Sequence, residues 1–147
     1  MDTKTLFKIL NDNNIKYVVI GAAAFPAHGY SRATQDIDIF VDSSEDNLKK
    51  LRIALTDFGY DLLDVSEEDL KSKKILIRQY LIETDIHPFV KGVTFEEVWQ
   101  RKVETQMDDI KFFVASIDDL IMMKKAANRA KDLEDLKVLE KLKQNKT

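Results

Sequence analysis

The sequence predicts an α/β (α+β) domain with a mixed central sheet flanked by helices, and three observations carry the prediction. Short apolar runs of strand length, 15–20 and 37–41, stand between segments whose apolar residues recur at helical spacing. The order strand, helix, strand repeats along the chain, which is the pattern of helices packed on a sheet. Serine and glycine punctuate the helical segments at cap positions, as Ser116 and Gly59 do.

Taken in order, Asp2 or Thr3 caps a first helix that carries Leu6, Phe7, Ile9 and Leu10, and the asparagine-rich stretch 11–14 ends it. Residues 15–20 form the first strand. Gly21 turns the chain, and 22–28 is a short helix despite Pro26, which a first turn tolerates. Residues 31–35 are too polar and too short for an element and read as a loop over a site. The second strand is 37–41. Ser43, three residues before Asp46, opens an amphipathic helix with Leu48, Leu51, Ile53, Leu55 and Phe58 as its apolar set, and Gly59 ends it.

Residues 60–63 read as a short strand and 66–70 as a short acidic helix or turn. The segments 75–82 and 84–89 form one long bent strand or two adjacent ones. A brief helix over 93–101 carries Trp99, and 103–107 with 111–115 makes a hairpin turning at Asp108-Asp109. Ser116, three residues before Asp119, caps a helix with Ile117, Leu120, Ile121, Met122, Ala126 and Ala127. Asn128-Arg129 interrupts it, and a last helix over 132–142 runs through Leu133, Leu136, Leu139 and Leu142, packing with its predecessor on the sheet. No repeat, linker or second domain is visible, so 1–147 reads as one domain.

A chain of 147 residues buries about two-thirds of its unfolded surface and needs no covalent staple. Its cysteine count of zero excludes disulfides and thiolate metal sites, and its two histidines leave little for a histidine-rich one. Without an apolar run of membrane length or a signal-peptide core, the expected compartment is the cytoplasm. A net charge of −3 argues against a strongly basic nucleic-acid binder. Lysines gathered at 71–74 and 124–146 keep a local basic face open, and so a nucleic-acid partner.

The chemistry concentrates between residues 17 and 42. In a strand, Asp36 and Asp38 project to one side while Ile37 and Ile39 enter the core on the other. Two carboxylates held that close repel unless a cation or a shared proton offsets the cost, and a divalent metal is the direct offset. The plainer alternative is an amphipathic strand showing both acids to water. Gly21 lets the backbone turn sharply and lets a ligand approach without meeting a Cβ, and Ala22, Ala23 and Ala24 keep that approach narrow. A helix starting there would face an anion with its free N–H groups; a packed strand-to-helix turn needs the same small residues. Asp85, downstream between Thr84 and Ile86, completes a three-carboxylate set of the kind magnesium-assisted phosphoryl transfer needs. Lys124 falls on the stripe of Ile117, Leu120 and Ile121, so its ammonium must snorkel, pair with a carboxylate or meet a phosphate. Arg32 and Thr34 stand just ahead of the aspartates, where they touch phosphate or base or are merely solvated. Arg129, Lys131 and Asp132 read as a local ion-pair network, and His28 and His87 as packing or loop histidines.

Gly21-Ala22, Asp36-Ile37-Asp38 and the later Asp85 resemble the signature of the nucleotidyltransferase superfamily, which includes DNA polymerase beta-like enzymes. The segment from His28 to Thr34 ahead of the aspartates, and Leu120-Ile121 followed by Lys124, Arg129, Lys131, Asp132 and Asp135, are similar to the small prokaryotic minimal and abortive-infection-toxin-type branch. The resemblance spans about Val18 to Leu139. It implies the nucleotidyltransferase fold and transfer of a nucleoside monophosphate from an NTP to a hydroxyl, on a protein, a tRNA or a small molecule. It assigns Asp36 and Asp38 to Mg²⁺, Asp85 to a second Mg²⁺ and to activation of the hydroxyl, and Gly21, Ala22, Arg32, Thr34 and Lys124 to the nucleotide. Ala22 stands where the branch commonly has glycine or serine, which removes one hydroxyl from the turn. That departure supports a second reading, a catalytically weak binding module working with a toxin or antitoxin partner.

Overall fold

A computed structural model describes residues 2–31, 34, 36–80 and 82–145. Helix α1, Thr3–Asp12, begins where the Asp2 carboxylate accepts the Thr5 amide at 2.8 Å. Strands β1, Tyr17–Ile20, and β2, Asp36–Val41, pair antiparallel. Between them Gly21–His28 is a short helix, as expected over 22–28, of the 3-10 type. Pro26 lies inside it, and its missing N–H leaves one rung of the ladder unmade.

Helix α2, Glu45–Phe58, is capped by Ser44 and not by Ser43. The Ser44 hydroxyl donates to Asp42 at 2.9 Å and accepts from the Asn47 amide, so the strand end fixes the cap one residue later than expected. The buried stripe is Leu48, Leu51, Ala54, Leu55 and Phe58, at spacings of three and four, while Ile53 lies off it and is 58 % exposed. Residues 60–63 form no strand. The backbone groups a ladder would use are taken by side chains: Arg52 donates to the Leu62 and Val65 carbonyls, and Gln79 accepts the Asp61 amide at 2.7 Å.

Helix α3, Glu67–Ser72, follows a Ser66/Asp69 capping box. Strands β3, Ile75–Ile77, and β4, Glu83–His87, are two antiparallel strands and not one bent strand. Helix α4, Phe95–Arg101, has its own box from Thr94 and Glu97. Strands β5, Val103–Met107, and β6, Ile110–Val114, turn at Asp108 and Asp109, with Asp108 at φ 54° as a two-residue hairpin requires. Helix α5, Ile117–Ala127, is capped by Ser116 through the Asp119 amide and ends at Asn128, φ 50°. Helix α6, Leu133–Asn145, starts after a 3-10 turn at Ala130–Asp132. Its inner face is Leu139 with half-buried Leu136 and Leu142, and Leu133 is exposed, as Met122 of α5 also is.

The strands form one six-stranded sheet in the order β3-β4-β2-β1-β6-β5. It is mixed, because β2 lies parallel to β4 and β1 parallel to β6 while the other pairs run antiparallel. On one face Phe7 of α1 stacks on Tyr17 and Phe112, and on the other Phe40 meets Phe95 of α4 edge to face. Among the described residues no helix is long and apolar enough to cross a membrane.

Candidate active site

The parallel pairing of β2 with β4 sets Asp38 beside Asp85 and Asp36 beside Glu83. Residues paired in register point to the same face, so these side chains stand together on one side of the sheet. Ile37 and Ile39, in between, are buried on the other. Asp36, Asp38 and Asp85 line a cleft of about 370 Å³ together with Gly21, Ala22, Thr34, Lys124 and His87.

Gly21 is required by this arrangement. It adopts φ +68°, and a Cβ there would come within 2.8 Å of Asp38 Oδ2. The glycine thus makes room for the aspartate as well as turning the chain. Gly21→Ala is expected to cost about 1–2 kcal/mol from the left-handed backbone alone, read as a lower denaturant midpoint, and to turn the Asp38 carboxylate aside. An unchanged midpoint would contradict that conformation.

Each acid has a neighbour that sequence reading passed over. His87 Nε2 lies 2.8 Å from Asp38 Oδ1, so this histidine belongs to the cleft and not to packing or a loop. His28, by contrast, is a buried packing histidine bonded to the Ala115 carbonyl. Arg78 donates to Asp85 Oδ1 at 2.6 Å and its Nε lies 3.2 Å from Glu83. That pairing, above all the hydrogen bond to Asp85, raises the arginine's pKa further. Glu83 is held above the usual carboxylate range by its hydrogen bond with Asp36 first, then by partial burial and the charges of Asp36 and Asp85. The series Glu83, Asp85, His87 at spacing two was the available signal, since a parallel partner strand repeats the Asp-x-Asp geometry.

Thr34 lines the cleft and also closes the start of β2, its hydroxyl bonding both the Asp36 amide and carbonyl at 3.1 Å. Arg32 lies outside the described residues. Lys124 points inward from α5 and takes the carboxylate-pairing option: its Nζ is 3.0 Å from Asp132 and 3.6 Å from Asp135. Arg129 closes on Asp132 from the other side, at 2.6 Å. Burial works to raise the Asp132 pKa, but the hydrogen bonds from Arg129 and Lys124 together outweigh it and hold the carboxyl below its ordinary value.

As the side chains stand, no three acids or imidazoles among the described residues are gathered tightly enough to hold a metal ion. Arg78 and His87 each occupy one oxygen of Asp85 and Asp38, and Asp36 is engaged with Glu83. The donor set nevertheless suits a hard divalent cation, because carboxylate oxygens on one sheet face beside an open cleft are the ligands Mg²⁺ takes.

A six-stranded mixed sheet with in-register acids beside a glycine turn is the nucleotidyltransferase fold, and the comparisons agree. Residues 2–144 match the family described as nucleotidyltransferase of unknown function (DUF6036), and the chain belongs to that family. It is thereby an enzyme of the nucleotidyltransferase class. Two solved structures share the fold. The lincosamide antibiotic adenylyltransferase LnuA, lincomycin-bound, is 19 % identical with TM-score 0.61, over 97 % of this chain and 98 % of that one. A Thermotoga maritima protein, TM1012, assigned as a nucleotidyltransferase, is 16 % identical with TM-score 0.60, over 97 % and 90 %. No curated protein matches the chain by sequence.

Proposed function

We propose that the chain, as one domain, is a magnesium-dependent nucleotidyltransferase that moves a nucleoside monophosphate from an NTP such as ATP to a hydroxyl on a small molecule. The observation that carries this reading is the in-register pair of acidic strands beside the Gly21 turn, open to one cleft. Asp36, Asp38 and Asp85 would hold the cation, and Glu83 stands next to them. A divalent cation held there supplies charge stabilisation to the triphosphate oxygens. The turn at Gly21 and Ala22 would approach the phosphates, Thr34 and Lys124 line the same cleft, and the resemblance assigns Arg32 to the nucleotide as well. The acceptor oxygen attacks the α-phosphorus, its proton passes to Asp85, the α–β bridge breaks and pyrophosphate leaves. A small acceptor is supported by LnuA, a chain covered almost end to end whose lincosamide target is small, and by the net charge of −3, which disfavours RNA.

Incubation with NTPs labelled at the α-phosphate and a cell extract tests this directly, with label expected in the small-molecule fraction. Label on protein or tRNA would replace the acceptor class. Absence of both labelling and magnesium-dependent NTP binding would leave the reading of a binding module paired with a toxin or antitoxin. Ala22→Ser tests the turn more finely. Ala22 is half-buried and lines the cleft, so the restored hydroxyl should tighten magnesium-NTP binding by roughly 0.5–1.5 kcal/mol in calorimetry. Unchanged affinity with stability lowered by about 1–3 kcal/mol would mark a packed turn with no phosphate nearby.

A further inference from the structure

Among the described residues, Asp38 and Asp85, side by side on β2 and β4, are each hydrogen-bonded through one side-chain oxygen. Asp38 Oδ1 meets His87 Nε2 at 2.8 Å, while its Oδ2 is the atom that lies against Gly21. Asp85 Oδ1 accepts Arg78 at 2.6 Å, and among the described residues nothing bonds its Oδ2. Both partners are themselves constrained. His87 follows Asp85 by two residues on the same strand face, and only 16 % of its side chain is exposed. Arg78 is braced by a second acid, Glu83, at 3.2 Å.

A carboxylate with two equivalent oxygens rotates; one oxygen held by a rigid partner leaves the other with a fixed direction. Outer partners of this kind orient ligating carboxylates, and their loss weakens metal binding by about 10–100-fold. Building on the metal-dependent reading above, we propose that His87 and Arg78 are the positioning residues of Asp38 and Asp85. Each takes Oδ1 of its aspartate and leaves Oδ2 as the oxygen offered to a divalent cation. The two hydrogen bonds also spread charge away from a face that carries Asp36, Asp38, Glu83 and Asp85 together.

The test is Mn²⁺ binding to the nucleotide-free chain, followed by electron paramagnetic resonance at one neutral pH, with thermal unfolding in chelator as the check on folding. Asp38→Asn serves as the reference for loss of a ligand. His87→Phe and Arg78→Met should each weaken Mn²⁺ binding by about 10–100-fold. His87→Gln, whose amide can donate to the same oxygen, should stay within a few-fold of wild type, a rescue that a packing role does not predict. Should one apolar variant fail to fold, the other aspartate's partner decides. Wild-type or tighter Mn²⁺ binding in the apolar variants, the second being the mark of a competing counter-ion, overturns the proposal and leaves the metal site standing. Mn²⁺ binding that is indifferent to Asp38→Asn overturns both.

Discussion

Asp38→Asn should reduce nucleotidyl transfer to background while leaving the metal-free chain at least as stable as wild type. Asparagine keeps the shape, so Gly21 still has room and Nε2 of His87 still finds an oxygen at Asp38's position. What it removes is one negative charge from the face shared by Asp36, Glu83 and Asp85. A bound divalent cation supplies several kcal/mol of charge stabilisation, and about 1.4 kcal/mol is tenfold in rate, so a loss of about three decades or more in kcat is expected. Stability should move the other way. Glu83 already sits above the usual carboxylate range, first through its hydrogen bond with Asp36, which is a sign of crowded carboxyls. Relieving one charge should hold the unfolding temperature level or raise it in chelator. A fall of about 1.5–3 kcal/mol, the worth of a hydrogen bond to a charged group, would instead show Asp38 to be a structural anchor with the transfer reading unsupported.

How much of this was legible before the fold depended on whether a signal is local. Asp36-Ile37-Asp38 states its geometry in three residues, since strand alternation alone puts both acids on one face. Gly59, Ser116 and the Asp108-Asp109 turn are also local, and the structure uses each as the sequence suggests. Ser43 failed because choosing between adjacent serines rests on which one Asp42 can reach. The strand expected at 60–63 failed because Arg52 and Gln79, distant in sequence, take its backbone groups. The cleft partner His87 was hidden for the same reason: its meeting with Asp38 comes from the parallel register of β2 and β4, a pairing between segments more than forty residues apart that no periodicity encodes. Arg78 reaches Asp85 from the end of β3 through the antiparallel β3/β4 pair.

Lys124→Met carries the largest expected effect on stability. Methionine keeps the apolar stem and removes the ammonium, which Asp132 and Asp135 share and which lies 5.7 Å from the centre of the Phe25 ring. Both aspartates are nearly inaccessible, and the lysine side chain is 14 % exposed, so solvent compensates little. Removing one partner of a buried ion pair costs about 3–5 kcal/mol, because the charge left behind is still desolvated. Arg129 remains on Asp132 and Tyr30 on Asp135, which places the expectation toward the lower end, about 3 kcal/mol at neutral pH by denaturant titration. The pH dependence fixes the sign independently. In the wild type the Asp132 carboxyl is held below its ordinary value: burial opposes this, but the hydrogen bonds from Arg129 and Lys124 outweigh it. A depressed folded pKa contributes stability above the unfolded value, about 3.9, and that contribution is lost as pH falls through the folded value. The variant lacks the Lys124 share of it, so the gap between the two proteins should be full at neutral pH and narrow below about pH 4. A gap under about 1 kcal/mol, or one insensitive to acid, would mean that the ammonium is solvated like a surface lysine and that the α5 and α6 network does not brace the wall of the cleft.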